Sequence, residues 1–214
     1  MEINYKKYWR KSSFKKERDG NFLLNHIRLK KPKNFLEIGV FHGVTSRNVC
    51  ELLYSLHGND FKFTGIDLFV NDETSLKDEY IPKIKFLNPL KTIYYKYIIR
   101  LDPYSYKSVL KLLKKFEKNI NIIIGDSNRM LKKIPREFDY VFLDGGHSYE
   151  TVKIDLEHLT QVIEKGGIIL CDDYDLSYAF GVKKAIDEYV LKKKFLYYFI
   201  NFIFLRLYFI SSSF

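Results

Sequence analysis

Residues 138–150, FDYVFLDGGHSYE, contain the features that decide the fold of this chain. The apolar run at residues 141–143 is typical of a short buried strand, which ends at Asp144. Two glycines and His147 follow, and Ser148 is a residue type that often begins a helix as its N-cap. A carboxylate and a histidine therefore lie three residues apart at a strand end, where ligands bind in open α/β sheets. We expect a strand, a turn with a functional site, and a helix.

Strands and helices alternate along most of the chain. Five strongly apolar segments predict strands, at residues 34–40, 61–69, 119–127, 139–145 and 167–174. Periodic apolar positions predict helices at residues 45–56, 105–116, 148–167 and 181–193. In the third of these helices Ile163 closes the buried stripe, and Gly166 is the expected C-terminal stop. Apolar strands separated by helices indicate an α/β fold, with a parallel sheet covered by helices on both faces.

The C-terminal run at residues 194–210 is rich in aromatic residues and isoleucine, which favour strands. A membrane-spanning helix needs about 20 apolar residues without a charge. This run is shorter and contains Asn201 and Arg206. We therefore expect two closing strands of the sheet and no transmembrane span, with membrane attachment as the alternative.

Length and composition set limits on the class of protein. A chain of 214 residues suits one well-cored α/β domain. Its net charge of +10 favours acidic partners such as phosphates, nucleic acid or anionic lipid. Cys50 and Cys171 lack the CxxC spacing, which indicates a reducing compartment and argues against structural zinc. With no apolar N-terminal run of the secretory type, the predicted location is cytoplasmic.

Two segments fall outside the alternating pattern. The basic residues 1–32 are expected to form a solvated or partner-docking arm, with or without a helix, ahead of a domain at residues 33–214. Residues 70–105 are long for a connection and are predicted to form a lid or a wall of the substrate site.

The first three strands end in residues that suit a ligand. Glu37, Gly39 and Gly43 form an E-x-G-x-x-x-G turn, which is not the G-x-G-x-x-G of dinucleotide-binding proteins. Glycine lets the backbone approach a ligand closely, but the pattern also fits an ordinary tight turn. Asp67, after the second strand, could accept hydrogen bonds from ribose hydroxyls or cap a helix. After the third strand come two residues that could contact an adenine or cap the next helix, Asp126 and Ser127.

The fourth and fifth strands end in three carboxylates. Adjacent parallel strands should bring Asp144 close to Asp172 and Asp173, where like charges repel unless a proton or a cation separates them. An oxygen-only ligand set suits Mg²⁺, Mn²⁺ or Ca²⁺ rather than zinc. His147 faces the same space and could act as a general base.

These motifs together resemble those of the class I S-adenosylmethionine-dependent methyltransferases. The likeness covers residues 33–190 and is greatest for the family of macrocin O-methyltransferases and cephalosporin-hydroxylase-like proteins, and more distant for the catechol O-methyltransferases. The most specific part is D-G-x-H-x-Y with the downstream G-G and D-D. The resemblance implies a doubly wound, mostly parallel, seven-stranded Rossmann-like sheet, closed by an antiparallel C-terminal strand pair.

The resemblance also implies roles for individual residues. Asp144, Asp172 and Asp173 correspond to divalent-metal ligands, and His147 to the general base, with Asp144 taking part in catalysis. The positions that correspond to S-adenosylmethionine-binding residues are Glu37, Gly39, Gly43, Thr45, Asp67, Asp126, Ser127 and Asp144. The implied function is divalent-metal-dependent O-methylation of a small hydroxylated acceptor, such as a sugar, a nucleotide-linked sugar or a glycan-like polyol, by a chain that could form a homo-oligomer.

Two alternatives come from other classes. The positive charge is compatible with a nucleic-acid methyltransferase. The fourth strand lacks the Asn/Asp-Pro-Pro-aromatic pattern of enzymes that methylate base amino groups, so RNA ribose methylation is the alternative that stays open. The aromatic C-terminus is compatible with a non-catalytic relative that acts as an interaction protein. A nicotinamide-dependent dehydrogenase is disfavoured, because the chain lacks G-x-G-x-x-G and carries the three carboxylates.

Overall fold

The computed structural model describes residues 3–69, 88–174, 180–193, 196–202 and 205–211. Its α-helices are α1 (Glu17–Lys30), α2 (Val44–His57), α3 (Pro89–Ile93), α4 (Tyr106–Leu113), α5 (Ser127–Met130), α6 (Tyr149–Val162) and α7 (Phe180–Lys193). Its strands are β1 (Asn34–Ile38), β2 (Lys62–Asp67), β3 (Ile120–Ile124), β4 (Phe138–Leu143), β5 (Ile163–Cys171), β6 (Leu196–Phe202) and β7 (Leu205–Ser211). No helix in the described ranges is long and apolar enough to cross a membrane.

Five parallel strands form the sheet that carries the site, in the order β3-β2-β1-β4-β5. Beyond β5 the order continues with β7 and then β6, and the backbone pairs β5 with β7 and β7 with β6 in antiparallel register. Ile38 at the end of β1 is paired with Ile66 and Leu143, and Leu143 is paired with Cys171. Four neighbouring strands therefore end at the same level, so the residues that follow them lie side by side.

Helices cover both faces of the parallel sheet, as the alternation of strands and helices predicts. One core layer packs α1, α2 and α4 on the face that contains Phe35 and Phe142. The other packs α6 and α7 on the face that contains Leu36 and Val141. Neighbouring strand residues point to opposite faces, so each apolar run supplies both layers.

The boundary between α6 and β5 lies earlier than the helical pattern predicts. α6 ends at Val162, and Ile163 already pairs with Phe138 of β4 as the first residue of β5. Gly166 does not stop the helix; it lies inside the strand with φ +80°, where the β4–β5 register shifts. Ile163 is 2% exposed in the strand, and a residue on the buried stripe of a helix would be buried too, so burial alone does not distinguish helix from strand at this position.

The N-terminal arm is part of the core, and the expectation of a solvated arm is wrong for its central residues. Tyr5 and Phe14 are buried in the same cluster as the sheet residues. The Phe14 ring stacks on Phe142 of β4 at 5.8 Å, and the Tyr5 amide donates to the Asn21 side chain at 2.6 Å. The division at residue 32 stays a prediction. Of the irregular segment at residues 70–105, the first eighteen residues, 70–87, lie outside the described residues.

Phe14→Ala tests whether the arm belongs to the folded core. Deleting a buried phenylalanine ring removes apolar burial and leaves a cavity, so we expect the free energy of unfolding to fall by about 3 kcal/mol. Leu29→Ala on α1 is the matched control, because Leu29 is 79% exposed. Urea unfolding measures both variants, and equal midpoints for Phe14→Ala and the wild type would show that the arm does not contribute to the core.

Candidate active site

The turn after β1 packs directly against the end of β4. Gly39 has φ +92°, and a Cβ at this position would lie 1.9 Å from the carbonyl oxygen of Asp144. The Asp144 amide in turn donates to the Ile38 carbonyl at 2.8 Å. Gly43, with φ +72°, precedes the first residue of α2. A side chain at position 39 would force these backbones apart, so glycine is required here by geometry as well as by its φ angle.

Glu37 is a buried carboxyl with one oxygen unsatisfied. The Ser46 hydroxyl donates to Oε2, whereas Oε1 has no hydrogen-bond partner in the part of the chain that the structure describes. Burial raises the pKa of Glu37 to about 8, against the lowering effect of the Ser46 hydrogen bond, and the charge of Asp67 raises it further. An ammonium group or another donor at Oε1 would satisfy this carboxylate.

Asp67 lies at the end of β2 and is held by three donors. Its carboxylate accepts hydrogen bonds from the amides of Phe41 and Phe69, at 2.7 and 2.8 Å, and from the Tyr104 hydroxyl at 3.0 Å. Burial nevertheless raises the pKa of Asp67 above its usual value. The sequence analysis did not single out Tyr104, because it lies near the end of the irregular segment at residues 70–105 and no motif marks it.

The turn after β3 forms a helix cap. The Asp126 side chain accepts the amide of Asn128 at 3.0 Å as the N-cap of α5, and Ser127 is the first residue of that helix. The Gly125 amide donates to the Asp67 carbonyl at 3.0 Å, so this cap lies next to the end of β2. The capping alternative is therefore confirmed, and contact of either residue with an adenine stays a prediction.

The structure brings the carboxylates of Asp144, Asp172 and Asp173 close enough to influence one another. Burial raises the pKa of Asp144 well above its usual range, and the charges of Asp172 and Asp173 raise it further, while a hydrogen bond from Ser13 opposes the shift. Burial likewise raises the pKa of Asp172 to about 8, with a further contribution from Asp173. The pocket at this edge is lined by these three residues together with Gly145 and Gly146.

His147 is paired with Asp173. The distance between His147 Nε2 and Asp173 Oδ2 is 2.9 Å, and the two side chains are 36% and 25% exposed. Asp173 has φ +58°, a backbone conformation that non-glycine residues adopt at some cost in energy. A partly exposed imidazole oriented by a carboxylate can hold and transfer a proton.

The predicted metal-binding set is not assembled in this structure. Within the described ranges, no group of three or more His, Cys, Asp or Glu side chains is arranged to hold a metal ion. In the described structure each carboxylate has a hydrogen-bond partner: Asp173 contacts His147, Asp172 Oδ1 accepts the Asp173 amide at 2.9 Å, and Asp144 is hydrogen bonded to Ser13. The chemistry of the three donors suits a hard cation, but their present arrangement does not.

The N-terminal arm supplies part of the site, which the sequence analysis did not foresee. A small pocket lies between the glycine turn and residues 11–13 of the arm. The Lys11 amide donates to His42 Nδ1 at 3.3 Å, and the hydroxyls of Tyr5 and Thr45 are hydrogen bonded at 2.8 Å. Thr45 therefore lines this pocket with an arm residue as its hydrogen-bond partner, and its contact with the cofactor stays a prediction. Nothing in the polar, basic sequence of the arm indicated these contacts.

Comparison with solved structures shows the same fold in proteins of very low sequence identity. The SAH-bound methyltransferase PaMTH1 of Podospora anserina superposes with a TM-score of 0.62 and 16% identity, over 93% of this chain and 80% of that chain. An O-methyltransferase from Bacillus cereus in complex with SAH gives a TM-score of 0.60 and 10% identity, over 94% and 83%. CalS11, a TDP-rhamnose 3'-O-methyltransferase in calicheamicin biosynthesis, gives 0.58 and 16%, over 89% and 76%.

A family match identifies the chain more directly than these structural likenesses do. A search of curated protein sequences finds no match. Residues 36–174, more than half of the 214 residues, match the model of a methyltransferase domain. This segment runs from β1 to the residue after Asp173, and it contains the glycine turn, Asp67 and the His147–Asp173 pair. The chain therefore belongs to the methyltransferase-domain family and has the Rossmann-like fold of the class I methyltransferases.

Proposed function

We propose that this chain transfers a methyl group from S-adenosylmethionine to a hydroxyl oxygen of a small polyol-like acceptor, such as a sugar, a nucleotide-linked sugar or a glycan. The observation that carries the proposal is the His147–Asp173 pair, 2.9 Å apart and partly exposed, at the edge where Asp144 meets the glycine turn. This pair supports the assignment of a proton acceptor beside the proposed cofactor site, where the turn after β1 meets the end of β4.

The residues of the glycine turn fit the cofactor. Glu37 has a buried oxygen without a partner in the described residues, and an amino-acid ammonium group is a suitable donor to it. No Cβ fits at Gly39, and a backbone this close to its neighbours suits the approach of a ligand. Asp67 would hold the ribose, with Tyr104 giving up its hydrogen bond or sharing the carboxylate. The remaining proposed contacts are Gly43, Thr45, Asp126, Ser127 and Asp144.

His147 is proposed as the general base. Bound S-adenosylmethionine supplies a methyl group that its sulfonium has already activated, so the protein must mainly align an acceptor oxygen with it. If His147 Nε2 donates its proton to Asp173, Nδ1 carries the lone pair that accepts the hydroxyl proton. Asp173 would then stabilise the imidazolium that forms.

The choice of a sugar-like hydroxyl acceptor rests on two supports. The partly exposed imidazole suits a hydroxyl group, which must lose its proton during transfer. The neighbour CalS11 acts on TDP-rhamnose, and the Bacillus cereus neighbour is an O-methyltransferase. The proposal includes membership of the macrocin-type group and a sheet completed by the antiparallel pair β6 and β7, which the backbone register supports.

Metal dependence remains a separate prediction from the resemblance. No step of the proposed transfer is assigned to a metal, because Asp144, Asp172 and Asp173 do not form a binding group in this arrangement. The pKa values of Asp144 and Asp172 are raised, which supports the view that a proton or a cation would relieve repulsion at this edge.

His147→Ala tests the proposed base. With a panel of nucleotide-linked sugars, beginning with TDP-rhamnose, we expect kcat to fall about 100-fold or more, because general-base assistance is lost. Binding of S-adenosylmethionine, measured by calorimetry, should not change. The control is His57→Ala at the far end of α2, which should leave both quantities unaltered. Full turnover by His147→Ala would show that another group removes the proton.

Thermal unfolding with and without Mg²⁺ tests the predicted metal site. Burial raises the pKa of Asp172 to about 8, so at about pH 9 more of this carboxyl is ionised and the repulsion is stronger than at neutral pH. A cation that binds only the folded state should then raise the unfolding temperature by several degrees. EDTA and Asp172→Asn should each abolish the shift, and Asp60→Asn, which removes an exposed surface carboxylate, should retain it. If wild type shows no shift, or Asp172→Asn shows the same one, these carboxylates do not bind Mg²⁺.

A further inference from the structure

The helix formed by residues 89–99 lies largely outside the core. α3 continues without a break into a π-helical turn, Tyr94–Ile99, and we call the two together the 89–99 helix. Tyr95 is its one buried residue. A helix with so little buried surface gains little stability from packing in the core. Core packing therefore does not explain which residues this helix exposes.

One side of the 89–99 helix is apolar and exposed. Leu90, Ile93 and Tyr97 are 65%, 49% and 61% exposed, and their spacing of three and four residues places them on one side. Ile98, 67% exposed, extends this surface. Trp9 of the arm is 59% exposed and packs edge-on against Tyr94 at 5.8 Å. Ten large apolar residues are exposed in the described ranges, and five of them lie on this helix or on the arm residue that contacts it. The five are Trp9, Leu90, Ile93, Tyr97 and Ile98, and we call them the apolar patch.

The same helix is cationic. It carries Lys91 and Lys96, Arg100 follows directly, and residues 88–101 contain no acidic residue. The whole chain has a net charge of +10. An exposed surface that combines aromatic and aliphatic side chains with lysine and arginine is typical of helices that lie in the interface of an anionic membrane.

We propose that the 89–99 helix docks on the surface of an anionic lipid bilayer. Leu90, Ile93 and Ile98 would enter the boundary between headgroups and acyl chains, and Lys91 and Lys96 would lie among the headgroups. Trp9 and Tyr97 have the amphipathic rings that favour this depth. A second copy of the chain is a poorer occupant, because it would bring two cationic surfaces together. Nucleic acid would pair with the lysines and stack on the aromatic rings, but it would leave the aliphatic side chains of Leu90, Ile93 and Ile98 in water.

Docking at this helix would hold the candidate active site near the membrane. Arg10 connects the two: its guanidinium donates to the His42 carbonyl at 3.0 Å, next to the glycine turn, and it is hydrogen bonded to Tyr95. The inference does not rest on the proposed function, because membrane binding can be measured without cofactor or acceptor.

Co-sedimentation of the full chain with lipid vesicles tests the proposal. We expect binding to phosphatidylcholine vesicles that contain about one third phosphatidylglycerol, weak binding to pure phosphatidylcholine, and loss of binding as salt is raised. Leu90→Ser combined with Ile93→Ser and Tyr97→Ser should weaken partitioning about tenfold or more, since apolar burial is lost. Lys91→Gln with Lys96→Gln should weaken it roughly 30-fold, at about fivefold for each charge.

Matched variants elsewhere on the surface serve as controls. Leu29→Ser removes an apolar side chain of α1 that is more exposed than those of the patch, and Lys118→Gln with Lys165→Gln lowers the net charge by the same amount as the lysine variant. Both controls should bind vesicles as the wild type does. The proposal is overturned if the wild type does not bind anionic vesicles, or if the control variants lose binding equally. It is also overturned if the patch variants change only the sedimentation coefficient, since the patch would then be a contact between copies of the chain.

Discussion

Repulsion among acidic groups at one edge of the sheet is the constraint on which the rest of this site depends. Asp67 ends β2, and Asp144 and Asp172 directly follow β4 and β5, so the strand register places these three at one level. Glu37 lies two residues lower, next to the end of β1. Burial raises the pKa of each, and neighbouring carboxylates raise the pKa values of Glu37, Asp144 and Asp172 further. A folded chain keeps such a cluster only if protons, donors or ligands offset the cost of burying it.

The protein offsets part of this cost with its own donors. Backbone amides and Tyr104 bind Asp67, Ser46 binds Glu37, and Ser13 of the arm binds Asp144. Glu37 Oε1 has no hydrogen-bond partner among the described residues. A ligand with a hydrogen-bond donor or a positive charge would therefore stabilise this carboxyl group. S-adenosylmethionine carries a sulfonium and an amino-acid ammonium group, which are positive charges of this kind. The repulsion among the acidic groups, which is unfavourable for folding, therefore favours binding of the proposed cofactor.

Much of the fold could be predicted from the sequence because its signals are local. Apolar runs identify the five parallel strands, and strand ends alone indicate where Glu37, Asp67 and Asp144 come together. The end of α6 could not be predicted in this way, because Ile163 is buried in a helix and in a strand alike, and pairing with Phe138 decides between them. The prediction for the arm is wrong for a similar reason. Its basic composition favours solvation, but Tyr5 and Phe14 pack against a core surface that exists only in the folded protein. The partners of Asp173 and Asp67 depend on side-chain orientation, which no spacing rule determines.

The proposed binding of S-adenosylmethionine at the carboxyl edge of this sheet can be measured by calorimetric titration. S-adenosylmethionine and S-adenosylhomocysteine are titrated into the wild type and into Asp67→Ala. We expect saturable one-to-one binding of both compounds to the wild type, no measurable binding to Asp67→Ala, and unchanged binding to Asp60→Ala, which alters an exposed carboxylate. Absence of heat in the wild type, or equal affinity in Asp67→Ala, would show that this edge does not bind the cofactor through Asp67.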